Sequence, residues 1–346
     1  MSGPQILFVV DAGPQVGGGH VIRSLTLAAA LEAKGAACVF LAPPAVGAIL
    51  DAFAPQVPRI EVASPEPADL AAAVGSKIFA AVVFDHYGLS QSDHRAMAGD
   101  TPALVVDDLA DRPLGADLVV DSGPARRAQD YDTLVPDHAR LLLGPTYAAV
   151  RPEFAALRDT ALAWRGEPVG RVMVSLGLTD VGGITGRVVE RVRPRLSGEG
   201  IDVVMGAEAT SLPGLTKIAR RDTRLALHVD TPHMARLTAE ADVAVGACGS
   251  SAWERCTLGL PSVMVVLADN QRPAARALAE MGAALVVDAL DPHFDDTLDR
   301  ALMRLLTDTA LRRDLALKSA AVCDGLGAPR VAEAFLQLIA TRAATR

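Results

Sequence analysis

The chain has 346 residues, enough for two ordinary domains, since a single core seldom grows beyond about 250–300 residues before the chain divides. Half of it is hydrophobic, 21% is charged and 4% is aromatic, a composition of aliphatic cores that excludes a disordered chain. The net charge of −8 excludes the broad positive field suited to a nucleic acid or an anionic membrane, so an anionic ligand has to be held by local devices.

Cys38, Cys248, Cys256 and Cys323 stand far apart without a Cys-x-x-Cys pair, which argues against a zinc site or a disulfide framework and for buried thiols in a reducing cytoplasm. Residues 1–4 run straight into an apolar stretch at 6–10, so no signal peptide is expected. No segment reaches the roughly 18–20 uninterrupted apolar residues of a spanning helix. A soluble cytoplasmic protein with no membrane insertion is the expectation.

In chain order, residues 6–10 form a short apolar run ending at Asp11, followed by a glycine loop and by helical spacing over 21–33. Apolar runs follow at 38–41, 80–84, 103–106 and 118–120, each separated by enough chain for a crossover helix, as in buried parallel strands. After 141–143 the chain to Gly166, Glu167 and Pro168 lacks strand periodicity, which places a linker at 151–168 and a first domain at 1–150. A second alternation occupies 172–176, 203–205, 225–228, 243–245, 263–267 and 284–287, and the tail reads as helices at 311–321 and 331–340, giving a second domain over 169–346. The fold class is α/β, with two Rossmann-like doubly wound sheets expected to face a cleft, where such folds bind ligands.

The first loop carries Gly17, Gly18, Gly19, His20 and Arg23. Glycines permit close approach of a ligand, and helix N-terminal amides attract phosphate. A dinucleotide site would want Gly or Ala where Ile22 stands and an acid after the second strand, where Ala42, Pro43 and Pro44 stand; a P-loop would want Lys and Ser or Thr after the glycines. His20 is a residue type able to take a proton from water near neutral pH, or else caps the helix or contacts phosphate. Arg23 either binds an anion or faces solvent. Asp85, at the end of a buried run, either holds the histidine or a ligand or bonds loop amides, and Asp11 has the same alternatives.

The Gly-x-Gly-His-x-x-Arg element formed by Gly17 to Arg23, with Asp85-His86-Tyr87-Gly88, resembles the UDP-sugar hydrolases of pseudaminic acid biosynthesis. Val106-Asp107-Asp108, the element from Tyr131 to Pro136 and the element from Tyr147 through Arg151 to Phe154 agree with that family in the same order, over about residues 5–290. The resemblance implies the two-domain glycosyltransferase B architecture, similar to MurG-type transferases. It further implies hydrolysis of UDP-2,4-diacetamido-2,4,6-trideoxy-β-L-altropyranose to UDP and free sugar, without metal or other cofactor, inverting at the anomeric carbon. Flagellin glycosylation is the destination it implies. By resemblance His20 is the base, Tyr87 an active-site tyrosine and Asn270 a group assisting at the reacting centre, with Gln271 beside it. The segment from Ser175 to Asp180 keeps Gly177 and Thr179 as diphosphate contacts but carries Leu178 where the family has a second glycine.

In the second half, Gly249, Ser250 and Ser251 follow a buried run and open a helix that the serines can cap while its amides face phosphate. Glu254 resembles the ribose-binding glutamate of related transferases; the alternative is a first-turn acid favouring the helix dipole. By resemblance, residues 225–229 set backbone groups beside uracil, with His228 and His233 either serving there or standing as ordinary strand-end and loop residues. His94, His138 and His293 are read as surface residues.

A departing diphosphate needs no strong general acid, so the remaining task is to position water and remove its proton, work for one base. The partner expected is a UDP-sugar, with no nucleic acid, and the oligomeric state is not legible. The alternative reading is a MurG-like UDP-sugar glycosyltransferase, which uses a hydroxyl acceptor in place of water.

Overall fold

A computed structural model describes residues 3–13, 16–165 and 168–344. The chain forms two compact units, Met1–Ala149 with Leu326–Arg346, and Val150–Gly325.

In the first unit the strands are β1 (Gln5–Val10), β2 (Ala37–Ala42), β3 (Arg59–Glu61), β4 (Ala81–Asp85), β5 (Ala103–Val106), β6 (Leu118–Asp121) and β7 (Arg140–Leu143). They form one parallel sheet in the order β3-β2-β1-β4-β5-β6-β7. Its central strands are apolar apart from Gln5 at the start of β1 and the acids Asp85 and Asp121 at the ends of β4 and β6, because helices cover both faces. Along β1, Ile6, Phe8 and Val10 enter one core with Val21, Leu27 and Leu31 of the helix Gly19–Glu32, while Leu7 and Val9 enter the opposite core with Leu70, Met97 and Tyr131. Phe8 stacks on Phe40 with ring centres 4.7 Å apart. The short edge strand β3 was not anticipated, since Arg59 and Glu61 flank a single apolar residue and leave no run to detect.

In the second unit β8 (Arg171–Ser175), β9 (Gly200–Met205), β10 (Leu225–Val229), β11 (Val243–Ala247), β12 (Ser262–Val266) and β13 (Leu285–Asp288) form a parallel sheet in the order β10-β9-β8-β11-β12-β13. Both sheets therefore reverse direction at one place, between β1 and β4 and between β8 and β11. Connections leave adjacent strands there toward opposite faces, which opens a crevice at their carboxyl ends. The glycine loop and Asp85 lie at the first reversal, and Gly177 and Gly249 lie in the loops at the second.

Two assignments change. The last helix, Gly327–Ala344, belongs to the first unit, whereas the tail was expected to stay with the second. Val331, Ala332, Phe335 and Ile339 make a stripe three to four residues apart, buried in the same core as Ile6 and Phe8. Lys34 pairs with Glu333, and Arg342 with Asp117. The expected linker is mostly the helix Pro152–Leu162, part of the second unit, with Phe154 and Ala161 buried. Arg158 fastens it by donating to the carbonyls of Ala320 and Cys323 at 2.6 and 3.0 Å. Gly166 and Glu167 of that linker lie outside the described residues.

The four cysteines are buried free thiols, as read. Among the described residues no helix is long and apolar enough to cross a membrane. His138 and His293 are exposed, but His94 is fully buried, contrary to the surface reading. The helix Gln91–Ala98 turns His94, Met97 and Ala98 inward, so the imidazole lies against Phe84 at 4.5 Å between ring centres and its Nδ1 accepts the Gly115 amide at 3.1 Å. Burial, with the nearby Arg112 charge, holds its pKa down at about 4.

Phe335→Ala is expected to lower folding stability by about 3–5 kcal/mol, measured by urea denaturation, because the helix loses its central buried ring. His94 gives a pH dependence of definite sign. The unfolded chain takes up the proton near pH 6.5, the native one only near 4, so stability falls as pH drops through that interval, by about 3 kcal/mol. His94→Leu should flatten that acid limb in denaturation midpoints recorded from pH 7 to 4.

Candidate active site

The first reversal brings the ends of β1 and β4 together, with Val10 in register with Asp85 and the Asp11 amide donating to the Asp85 carbonyl at 2.9 Å. The loop beyond β1 folds back on itself, the Gly17 amide donating to the Gly13 carbonyl at 2.7 Å. Gly17 has φ 76°, open to glycine without strain. Gly18 precedes the helix and its carbonyl accepts the Ile22 amide, so Gly19 and His20 form the first turn.

His20 leans over the end of β4. Its Nδ1 lies 2.8 Å from Asp85 Oδ1 and 3.2 Å from the Asp85 carbonyl oxygen. The fully buried Asp85 carboxylate also accepts Arg23 Nε and Nη2 at 2.7 and 2.6 Å and Ser24 Oγ at 3.1 Å. Burial alone would raise the Asp85 pKa, but Arg23 and then His20 hold it well below the usual carboxylate range. An ionised partner at Nδ1 fixes the imidazole proton there and leaves the lone pair on Nε2, which accepts no hydrogen bond from any described residue.

Arg23 Nη1 donates to Asp108 Oδ2 at 2.6 Å, and the Tyr87 hydroxyl donates to the same oxygen at 2.8 Å. Burial, then Asp108, pushes the Tyr87 phenol pKa upward, so it stays protonated. The Tyr87 ring meets His20 edge to face, 4.4 Å between centres and 86° between planes. The structure thus gathers His20, Arg23, Asp85 and Tyr87 into one network. Of its alternatives Asp85 takes the one of holding the histidine, and Arg23 does not face solvent, its guanidinium pairing with Asp85 and Asp108.

Asp108, given no role by the sequence, joins Arg23 to Tyr87. Its neighbour Asp107 accepts Arg112 Nη1, the Tyr131 hydroxyl and the Ala110 amide, so the elements around 106–108 and 131–136 brace the loop after β5. His86, also given no role, is buried; its Nδ1 accepts the Gly88 amide at 3.0 Å and burial lowers its pKa. One signal was available, since Asp85, Asp107 and Asp121 each close an apolar run, and an acid ending three successive buried strands needs donors.

In the second unit Gly177 takes φ 103° just beyond β8. Asp180 organises that loop: its buried carboxylate accepts the Thr185 and Ser211 amides, both at 2.7 Å. Leu178 is tolerated in place of glycine because the left-handed positions are Gly177, Asp180, Gly182 and Gly183. Thr179 sits between them, part-exposed.

Beyond β11, Gly249 and Ser250 lead into the helix Ser251–Thr257. Neither serine caps it, contrary to the sequence reading. Ser250 already has helical angles, and Ser251 Oγ accepts Arg255 Nη1 at 3.1 Å. Glu254 Oε1 accepts Arg151 Nε and Nη2 at 2.9 and 2.8 Å, while Oε2 accepts nothing from the described residues. A Cβ at Gly249 would come 3.8 Å from Gln271 Nε2, which sets the turn Asp269–Gln271 beside the glycine loop. Gln271 is held there by the Leu267 amide at 2.9 Å, and Asn270 is exposed on the same turn. His228 stands apart on the outer strand β10, its Nε2 bonded to Asp202 Oδ1 at 2.7 Å.

No protein-family model matches the chain. Its fold is that of the glycosyltransferase B enzymes: it superposes on Acinetobacter baumannii MurG with a TM-score of 0.64, at 17% identity, over 96% of this chain and 99% of that one. In sequence it is 24% identical over 279 residues to the UDP-2,4-diacetamido-2,4,6-trideoxy-β-L-altropyranose hydrolase of Campylobacter jejuni, over 80% of this chain and 97% of that protein, which bears out the resemblance read from its motifs. It is also 25% identical over 199 residues to the spore coat polysaccharide biosynthesis protein SpsG of Bacillus subtilis, over 57% of this chain and 58% of that protein.

Asp85→Ala is expected to cost about 3–5 kcal/mol of folding stability, because it leaves Arg23 with Asp108 alone and strands the buried Arg23 Nε and Nη2 and Ser24 Oγ without an acceptor. Tyr87→Phe, which removes one hydrogen bond to a charged acceptor, should cost about 1.5–3 kcal/mol. Chemical denaturation of the two variants checks both the order and the size.

Proposed function

We propose that the protein hydrolyses a UDP-linked 2,4-diacetamido-2,4,6-trideoxy sugar to UDP and free sugar with inversion at the anomeric carbon. The observation that carries this reading is His20, held at Nδ1 by Asp85 with Nε2 unoccupied. A water on the face opposite the diphosphate gives its proton to Nε2 as its oxygen bonds to the anomeric carbon. The bond from that carbon to the phosphate oxygen breaks, and its electron pair leaves with UDP. Asp85 stabilises the imidazolium and, with Arg23, keeps the ring in place. Tyr87, Asn270 and Gln271 orient water or sugar. Gly17, Gly18, Gly19, Gly177, Thr179, Gly249, Ser250 and Ser251 supply the approach to diphosphate. Glu254, with Oε1 taken by Arg151, keeps Oε2 for a ribose hydroxyl, and the backbone around His228 meets uracil.

The named activity of the Campylobacter jejuni relative supports this choice of substrate. Within the reading, the reaction needs no metal, runs in the cytoplasm and serves pseudaminic acid biosynthesis for flagellin glycosylation. The likeness to MurG favours a second reading, sugar transfer to a hydroxyl acceptor. Incubating the protein with the UDP-sugar alone, in ¹⁸O-labelled water, separates the two: hydrolysis releases free sugar carrying the label, whereas a transferase leaves the substrate intact.

His20→Asn is expected to lower kcat by about 10²–10⁴-fold with an unchanged circular dichroism spectrum, and chelators should leave the wild-type rate unaltered. A variant releasing UDP at the wild-type rate would remove His20 from the mechanism.

A further inference from the structure

Arg255 is the largest fully buried side chain among the described residues, 1% exposed, and it lies beneath the loop at the second sheet reversal. Nη2 donates to the Ala247 carbonyl at 2.5 Å, Nη1 donates to Ser251 Oγ at 3.1 Å, and Nε has no acceptor. No carboxylate among the described residues comes within 4 Å of the guanidinium, although Glu254 is the preceding residue, because Glu254 turns to Arg151. The packing is close: a Cβ at Gly246 would come 2.5 Å from Arg255 Nη1, so glycine at the end of β11 is what admits the guanidinium.

A buried cation without a counter-charge is costly, and proteins that keep one ordinarily surround it with acceptors. Arg165 shows that ordinary case, its three nitrogens donating to the carbonyls of Leu258, Ala241 and Thr238. Arg255 has one carbonyl, one hydroxyl, the weakly accepting Met264 Sδ at 2.9 Å from Nη2, and an empty Nε. Ser251 is oriented by it, because an oxygen that accepts Nη1 keeps its own proton for another acceptor.

We propose that Arg255 is the counter-charge of the diphosphate, acting from beneath the loop through Ser251 and the backbone of residues 246–251 without touching the ligand. The inference rests on the nucleotide reading above and deepens it. The buried charge is compensated only when a phosphate group occupies the loop, and Ser251 donates its proton to a phosphate oxygen. Arg255 is thus a positioning residue whose contribution scales with ligand charge.

Calorimetric titration of the full-length protein with UDP and with uridine tests this, since the two ligands share base and ribose and differ in charge. Arg255→Met should weaken UDP by about tenfold or more while moving uridine affinity less than about twofold, and Arg255→Lys should keep most of the UDP affinity. The melting temperature of ligand-free Arg255→Met should equal or exceed that of wild type, because an unpaired buried charge has been replaced by an apolar side chain of similar length. Should that variant fail to fold, Arg255→Gln, neutral but still polar, carries the same comparison. Equal losses for UDP and uridine, or no loss for either, overturn the inference and leave the nucleotide reading standing. A wild-type protein that binds neither ligand overturns both.

Discussion

The first unit is organised around a single carboxylate. Asp85 closes the otherwise apolar strand β4 at the place where the sheet reverses, and it is fully buried. A buried acid must either be protonated or be surrounded by donors. Here four side-chain donor atoms converge on it, from His20, Arg23 and Ser24, all within the first turns of one helix. The helix therefore cannot rotate or slide without breaking several charge-assisted contacts at once, and the imidazole of its first turn inherits a fixed position and a fixed tautomer.

The same logic extends sideways. Asp108 takes the guanidinium nitrogen that Asp85 leaves over and hands its order on to Tyr87, while Asp107 and Asp121 share the hydroxyl of Tyr131. Acids at the carboxyl ends of β4, β5 and β6 thus hold the loops that follow them. In the second unit Asp180 does comparable work with backbone amides, and the residues around it that take left-handed angles are those that tolerate them.

Most of the architecture was legible because buried parallel strands are written as unbroken apolar runs: 6–10, 103–106 and 243–245 each lie within a strand as observed. β3 was not, since an edge strand of three residues with charged ends has no such run. The placement of the last helix was hidden for another reason. Its stripe of Val331, Phe335 and Ile339 announces a buried face but not which core receives it. At the site, residue type and position singled out His20, and the family resemblance singled out Tyr87 and Glu254; Asp85 was one alternative as the partner of His20, while the partners of Tyr87 and Glu254 were not legible. Whether Arg23 faces a ligand or Asp85, and whether Ser251 caps a helix or receives Arg255, depends on side-chain directions that only the assembled sheet decides. His94 was misread because one polar residue on a short helix looks the same in sequence whether it faces water or Phe84.

The return of residues 327–344 to the first sheet means that this unit is discontinuous in the chain, with the second unit inserted between its parts. A ribosome finishes the whole of the second unit before it supplies the helix that completes the first. The nascent protein accordingly holds the core around Ile6 and Phe8 open through most of its synthesis, and no single cut between the units can yield two intact pieces.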